Sequence, residues 1–169
     1  IFVRAFNDAN AVLLALGAVI CFCLAASSVY IFNDIVDVAQ DRLHTTKKNR
    51  PIASGQISLL MAYFISGLLG GLALVGAWFV SPGFLGIISV YLIIQVLYSL
   101  WLKKKIIIDV MIIALGFVLR VVGGAVAIGV AFSPWLIFCT FFLTLFLAIT
   151  KRRGELNSEL GTETRAVLN

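Results

Sequence analysis

Three aspartates that follow a long apolar run have the clearest capacity for chemistry in this sequence. In the segment YIFNDIVDVAQDRLHTTKKNRPIASGQI, residues 30–57, Asp34, Asp37 and Asp41 are spaced three and four residues apart, and Asn33 precedes them. If the apolar helix continues through this segment, the carboxylates fall within an arc of about 60° that rises about 10 Å along the axis. Carboxylates on one stripe repel each other, and a helix C-terminus is itself negative. The arrangement therefore favours bound cations.

The donor types indicate which cation suits this stripe. Oxygen ligands without sulfur or imidazole suit Mg²⁺, which takes one or two protein carboxylates and fills its shell with water and substrate phosphate. Four basic side chains follow within ten residues of the last aspartate, at Arg42, Lys47, Lys48 and Arg50. Carboxylates for a metal beside cations for phosphate predict a site for a magnesium-complexed diphosphate, with the aspartates and Asn33 as metal ligands. A solvated acidic helix end that pairs with these same cations is the alternative.

Membrane-spanning helices must position these residues. The 169-residue chain is 62% hydrophobic and 12% charged, with a mean hydropathy of +1.08. Soluble domains are about 45–50% apolar and about 25% charged, so this composition excludes a soluble domain, and it excludes disorder as well. Each of five apolar runs reaches the roughly 20 residues that a bilayer requires. We predict an all-α membrane domain over 1–169 with spans at about 11–32, 58–80, 84–102, 106–130 and 134–150.

The distribution of charge predicts the orientation of this bundle. Eleven of the thirteen lysines and arginines lie in the segments 33–57, 103–105 and 151–169, and the other two are Arg4 and Arg120. If every run crosses once, these three segments emerge on the same side, and a basic excess marks the cytoplasmic side. We therefore expect a multi-pass protein of the cell (inner) membrane with a cytoplasmic catalytic loop at 33–57. The net charge of +5 requires no nucleic-acid partner, because anionic lipids or substrates account for it.

Polar residues on the third predicted span form a stripe. Tyr91, Gln95 and Tyr98 recur at i, i+4 and i+7 and lead to Lys103. One interpretation is a cavity wall on which Tyr98 and Lys103 contact phosphate. The other is interhelical hydrogen bonding within the bundle.

Charged residues within or beside the fourth predicted span carry the same ambiguity. Arg120 lies near the middle of the span, where a charge is costly unless it faces a cavity or a partner. Asp109 lies eleven residues earlier on the same face, about 16 Å away along the axis. Arg120 either lines the cavity or bonds acids and carbonyls of neighbouring helices, and Asp109 belongs either to the site or to a local ion pair.

Small residues at helix-packing spacing predict close contacts between spans. Gly67 and Gly71 form a GxxxG pair in the second span. Gly116 and Gly123 lie on the face of the fourth span that carries Arg120. We expect neighbouring helices to approach closely at both places.

A second polar segment follows the last span. It opens with three cations and continues with glutamates at i, i+4 and i+8, in the order Lys151, Arg152, Arg153, Glu155, Glu159 and Glu163. A site with one aspartate-rich motif and a second, cationic motif suits a substrate with a phosphate beyond its diphosphate. A basic stop followed by a solvated acidic helix is the other interpretation.

These residues carry a family resemblance. The block NDIVDVAQDRLHTTKKNRPIASG at 33–55 resembles the first aspartate-rich motif of the UbiA superfamily of intramembrane prenyltransferases. It is most similar to the branch of decaprenyl-phosphate phosphoribosyltransferases, and the blocks YSLWLK (98–103), GFVLR (116–120) and KRRGEL (151–156) follow in that branch's order. The resemblance covers most of the chain.

The sequence departs from the family pattern at a few points. Thr45 stands where the branch usually has proline, and Tyr98 and Lys103 are five residues apart where many members space the pair by four. Members of the superfamily have about nine spans, so the resemblance implies that these five belong to a larger bundle, with one helix before them and about three after.

The resemblance implies transfer of 5-phosphoribose from phosphoribosyl pyrophosphate to a polyprenyl phosphate such as decaprenyl phosphate, as in the synthesis of cell-wall arabinan precursors. Asp34, Asp37 and Asp41 would then be catalytic, with Mg²⁺ as cofactor. The predicted substrate-binding residues are Asn33, Arg42, Lys47, Arg50, Tyr98, Lys103, Arg120, Lys151 and Arg152.

Three other functions are compatible with parts of this pattern. The first is the transfer of a prenyl group from a prenyl diphosphate to an aromatic or tetrapyrrole acceptor; an intact second aspartate-rich motif would favour it, and the segment 151–165 contains no aspartate. A transporter would place acids deep within its spans. A non-catalytic membrane scaffold or a degenerate fragment is the third, because without the missing spans this piece would be inactive alone.

Overall fold

Five long α-helices make up the structure, a computed structural model that describes residues 8–167 except for the side chains of 104, 106 and 155–167. In chain order the helices are α1 (Ala9–Leu43), α2 (Leu59–Val80), α3 (Pro82–Leu100), α4 (Ile106–Ala127) and α5 (Pro134–Val167). Within this described range no strand occurs, which confirms the all-α prediction. Each helix contains a stretch long and apolar enough to span a bilayer, so the chain is a multi-pass membrane protein.

The first helix is much longer than a membrane crossing requires. Its 35 residues extend about 52 Å, against about 30 Å for the hydrocarbon core of a bilayer. The helix begins directly after Asp8, the N-cap residue, whose side chain accepts a hydrogen bond from the Asn10 backbone amide. It continues without a break through Asn33–Asp41, as the spacing of the aspartates predicts.

Short uncharged connections join the helices on the side opposite the aspartates. Ser81 ends α2 and also begins α3, where its hydroxyl accepts a hydrogen bond from the Phe84 amide and Pro82 takes the first helical position. Proline is well suited to that position because it has no amide hydrogen to leave unpaired. Gly129 turns the chain after α4 with φ +67°, and Pro134 then begins α5, as predicted.

Small residues bring α1 and α2 together. The buried face of α2 consists of Ala62, Ser66, Gly70, Ala73 and Ala77. Ser28 on α1 donates to the Ser66 carbonyl at 2.8 Å, and the Ser66 hydroxyl donates back to the Ser28 carbonyl at 2.9 Å. These reciprocal bonds fix the register of the two helices.

The predicted close contact at Gly67 and Gly71 is wrong within the described part of the chain. A Cβ at either position would meet no described atom within 4 Å, whereas one at Gly70 would lie 3.0 Å from the Ser28 hydroxyl and one at Gly76 2.8 Å from the Cys21 sulfur. The GxxxG pair is rotated away from α1 because the serine pair sets which side of α2 faces its neighbour.

An aromatic cluster joins α1, α3 and α4. Phe22 packs edge-on against Phe84 and Tyr91, with ring centroids 5.5 and 5.7 Å away. On its other side the ring meets α4 at Gly123, where a Cβ would lie 2.6 Å from the ring. Gly116 lies equally close to α3, because a Cβ at this position would lie 3.0 Å from the side-chain amide nitrogen of Gln95. The close packing predicted for these two glycines is confirmed.

The three basic segments meet at one end of the bundle, as the charge pattern predicts. Lys103, beyond the end of α3, reaches Asn33 on α1 at 3.2 Å, and Arg152 on α5 reaches Asp109 at the start of α4. Arg50, in the connection after α1, bonds back to Asp34. We call this part of the molecule, formed by 33–57, 102–105 and 151–152, the basic end.

We predict that Gly123→Ala lowers the thermal stability of the detergent-solubilised protein by about 1–3 kcal/mol, because the new methyl group has no room beside the trapped Phe22 ring. The adjacent Gly124→Ala is the matched control, since a Cβ at Gly124 meets no described atom within 4 Å. Unfolding temperatures of both variants check the prediction. An equal effect of the two substitutions would contradict it.

Candidate active site

A cavity of about 1050 Å³ opens at the basic end and extends into the bundle between α1, α3, α4 and α5. Most of the side chains that the sequence predicts for the site line this cavity. They are Asn33, Asp34, Asp37, Asp41, Lys47, Arg50, Tyr98, Lys103, Arg120, Lys151 and Arg152.

Arg42 is the predicted site residue that lies outside the cavity lining. Its Nε donates to the Ala53 carbonyl at 3.1 Å and so ties the end of α1 to the loop that follows. The loop turns at Gly55, which has φ +83°, a conformation that favours glycine. His44 has a similar local role, because its Nδ1 accepts from the Thr46 amide at 3.2 Å. Both residues shape the loop that carries Lys47 and Arg50.

Arg50 joins two of the three aspartates. Its Nη1 donates to Asp34 Oδ1 at 2.9 Å and to Asp41 Oδ2 at 2.8 Å. The Asp41 side chain is only 6% exposed, so little water can stabilise its negative charge. The Arg50 guanidinium provides that stabilisation instead.

Lys103 pairs with the remaining aspartate. Its Nζ forms an ion pair with Asp37 and donates to Asn33 Oδ1 at 3.2 Å. Asn33 in turn donates to Asp37 Oδ2 at 3.1 Å, which orders the two side chains on consecutive turns of α1. Tertiary contact thus joins residues that are 66 positions apart in the chain.

Asp109 is a residue of the cavity that the predicted site set does not include. Its side chain is 3% exposed, and it accepts from the Tyr98 hydroxyl at 2.6 Å and from Arg152 Nε at 2.5 Å. The carboxylate therefore connects α3, α4 and α5 while it lines the cavity. The sequence does show an acid at the edge of an apolar span, which is a signal for a functional residue. Helical spacing within α4, however, does not reveal that the partners of Asp109 lie on α3 and α5.

The mouth of the cavity thus holds four carboxylates, each paired with a cation. We call the set formed by Asp34, Asp37, Asp41 and Asp109, with Arg50, Lys103 and Arg152, the outer tier. In the described part of the chain no group of three or more metal-ligating side chains is gathered tightly enough to hold an ion alone. The donor set still fits Mg²⁺, which needs only one or two protein carboxylates when substrate phosphate supplies the other oxygens.

The inner end of the cavity instead combines a cation and polar groups with apolar side chains such as Phe117. Arg120 Nη2 donates to the Tyr91 hydroxyl at 2.8 Å. Its guanidinium carbon lies 4.8 Å from the centre of the Phe117 ring and 5.3 Å from that of Tyr91. Tyr91 and Gln95 line the cavity together with Tyr98, so the stripe on α3 forms a cavity wall.

The remaining predicted residues lie at the mouth or outside the described set. Lys47 and Lys151 line the opening of the cavity. The side chains of Glu155, Glu159 and Glu163, on which the predicted acidic face depends, lie outside the described residues.

Comparisons with known proteins agree with this geometry. Residues 2–156 match the UbiA prenyltransferase family. Decaprenyl-phosphate phosphoribosyltransferase of Mycolicibacterium smegmatis is 40% identical over 139 residues, which cover 82% of this chain and 44% of that protein. The Corynebacterium glutamicum protein of the same name is 35% identical over 167 residues, with coverages of 96% and 50%. The chain therefore spans about half the length of the curated relatives it matches.

A solved structure supports the fold. The UbiA homolog from Archaeoglobus fulgidus bound to DMAPP and Mg²⁺ aligns with a TM-score of 0.76 at 23% sequence identity. The alignment covers 82% of this chain and 51% of that one.

We predict that Tyr98→Phe destabilises the protein by about 1.5–3 kcal/mol, the range for a hydrogen bond to a charged group, because it removes a donor from the buried Asp109 carboxylate. Tyr63→Phe is the matched control, since Tyr63 is 54% exposed on α2. Thermal unfolding in detergent measures both effects. If the two variants unfold at the same temperature, Asp109 does not depend on the Tyr98 hydroxyl.

Proposed function

The chain belongs to the UbiA prenyltransferase family, and from this premise we propose that it transfers 5-phosphoribose from phosphoribosyl pyrophosphate to a polyprenyl phosphate such as decaprenyl phosphate. The observation that carries the proposal is the outer tier, where the carboxylate face of α1 meets Arg50 and Lys103, and where Arg152 pairs with Asp109 of α4. Such a surface suits a metal-complexed diphosphate. The named relatives at 35–40% identity support phosphoribose as the group transferred.

The aspartate face would hold Mg²⁺ through Asp34, Asp37 and Asp41, with Asn33 beside them. When bound, the ion would supply positive charge that offsets the negative charge developing on the leaving diphosphate. Magnesium in the solved structure of the Archaeoglobus fulgidus homolog is consistent with this cofactor.

The cations of the cavity would bind phosphate oxygens. Arg50 and Lys103 already lie within hydrogen-bond distance of the aspartates, so a diphosphate at this face would contact both of them. Lys47, Lys151 and Arg152 line the same opening and would complete its positive side. These contacts orient the donor so that its anomeric carbon faces the acceptor.

The acceptor phosphate is already an anion, so the reaction requires no strong general base. One of its oxygens forms the new bond to the anomeric carbon as the bond from that carbon to the diphosphate breaks, and the diphosphate leaves with the electron pair. The apolar helices limit access of water, which would otherwise compete as the nucleophile. The acceptor's isoprenoid chain lies in the bilayer beside the bundle.

We also infer that the basic end faces the cytoplasm of a cell (inner) membrane, because basic connections mark that side. The water-soluble donor then enters the cavity directly from the cytoplasm, while the lipid acceptor enters from the membrane.

A prenyl diphosphate donor with an aromatic or tetrapyrrole acceptor is the alternative reaction. Family membership and the likeness to a homolog bound to DMAPP favour it. Arg120 at the inner end of the cavity opposes it, because an isoprenoid tail there would cover a charged guanidinium without satisfying its donors.

The test is transfer of radiolabel from phosphoribosyl pyrophosphate into the lipid phase, measured on the full-length natural protein in membranes with Mg²⁺ and polyprenyl phosphate. We expect transfer by the wild type and a loss of about 100-fold or more with Asp37→Asn, because the substitution removes charge at the diphosphate. Lys105→Gln, at an exposed lysine outside the cavity lining, is the control and should retain activity.

The alternative donor is assayed in parallel. A preparation that consumes a labelled prenyl diphosphate but incorporates no phosphoribose would overturn the proposal in favour of prenyl transfer.

A further inference from the structure

The inner end of the cavity lies deeper in the helix bundle than the outer tier, farther from the basic end. Tyr91 and Tyr98 are seven residues apart on α3, a separation of about 10 Å along the axis. Arg120 is further along α4 than Asp109, but helical side chains lean toward the N-terminus, which for α4 is at the basic end. The guanidinium therefore reaches the level of Tyr91 and bonds to it.

Arg120 differs from the cations of the outer tier in its charge environment. Arg50, Lys103 and Arg152 each form an ion pair with a carboxylate. Among the described side chains, Arg120 makes one hydrogen bond, to a tyrosine hydroxyl, and contacts two aromatic ring faces. These contacts leave its charge unbalanced within an apolar bundle, where an isolated charge is expensive.

The surroundings of Arg120 suit an anion of small size. A guanidinium presents five N–H donors in a planar fork that matches phosphate, and the bond to Tyr91 uses one of them. Gln95 lies one turn from Tyr91 on the same cavity wall, and its side-chain amide approaches α4 closely because residue 116 is glycine. Tyr91 is only 2% exposed, and its side chain contacts both Phe22 and Arg120, so the group is held in place before any ligand arrives.

We propose that Arg120, with Tyr91 and Gln95, forms an inner binding site for a phosphate monoester, and that this phosphate is the 5-phosphate of the sugar donor. The proposal rests on the proposed function, because it requires the donor's diphosphate to occupy the outer tier. The separation of about 10 Å between the two levels is comparable with the length of a ribose ring that carries phosphates at both ends.

The inner site would select the donor. A sugar phosphate satisfies the donors of Arg120, whereas an isoprenoid tail would cover them and leave a buried charge without a partner. A site built to bond a polar group rejects analogues that lack it far more strongly than an apolar pocket rejects a change in size. Arg120 is therefore a specificity-determining residue for a phosphorylated sugar over a prenyl group.

The experiment compares two donors, phosphoribosyl pyrophosphate and ribose 1-diphosphate, which lacks the 5-phosphate, with the full-length natural protein in membranes. For wild type we expect kcat/KM to be about 10- to 100-fold higher for the phosphorylated donor, the size of a hydrogen bond to a charged group. Arg120→Gln should reduce that ratio toward one by raising KM for the phosphorylated donor. Arg120→Lys should restore part of the preference, and Lys105→Gln should leave it unchanged.

Different outcomes would overturn different parts of the proposal. A rise in KM for the polyprenyl phosphate, with donor preference retained, would assign the Arg120 phosphate to the acceptor and overturn the donor assignment. An equal loss of kcat for both donors with unchanged KM values would show a structural role and overturn the inner site.

A binding measurement separates the inner site from the proposed reaction. Inorganic phosphate should raise the unfolding temperature of the wild type, and Arg120→Gln should reduce that rise, leaving only the part due to the outer tier, even if no phosphoribosyl transfer is detected. Equal protection of wild type and Arg120→Gln would overturn the inner site. Absence of transfer together with Arg120-dependent protection would instead reject the proposed function and retain the phosphate site.

Discussion

Four carboxylates at the end of an apolar bundle need cations, and this requirement shapes the functional part of the molecule. Arg50 ties the loop after α1 to Asp34 and Asp41, Lys103 ties the end of α3 to α1, and Asp109 ties α4 to α5 through Arg152. Partly buried ion pairs add little net stability, since desolvation offsets most of their attraction, but breaking one is costly. Their main effect is therefore to fix which helices meet around the cavity.

The same pairing gives the cavity its chemical character. Every carboxylate of the outer tier has a cation beside it, so one surface offers oxygen ligands of the kind that Mg²⁺ prefers next to N–H donors of the kind that bind phosphate. A long α1 is essential to this arrangement, because a helix that ended at the edge of the hydrocarbon core would not carry Asp37 and Asp41 to the cations of the other segments. The membrane span and the site are thus parts of one continuous helix.

Packing in the apolar interior also determines where the side chains at the inner end of the cavity lie. Gly123 allows Phe22 to fit between α1 and α4, and the ring in turn braces Tyr91, which holds Arg120. Small residues at helix contacts commonly serve close packing in membranes. Here they also set the position of a charged side chain about 10 Å below the outer tier.

The sequence by itself determined the all-helical membrane fold, the aspartate stripe on one face of a continued α1, and the convergence of the basic segments at one end. Each follows from a local rule, since hydropathy marks the spans, the helical period places Asp34, Asp37 and Asp41 together, and an alternating path returns 33–57, 103–105 and 151 to the same end. Most of the cavity-lining residues could be named for the same reasons, with the family resemblance as support.

Only the tertiary structure decided which cation pairs with which carboxylate, that Asp109 is shared by Tyr98 and Arg152, and that Gly70 rather than Gly67 faces α1. The helical period states which residues share a face, but the rotation of each helix about its axis depends on contacts with its neighbours. Arg42 shows the same limit, because its place in the sequence suggests phosphate binding while the fold directs its Nε to the Ala53 carbonyl. Partners that come from different helices are fixed by packing, which spacing along one chain segment does not encode.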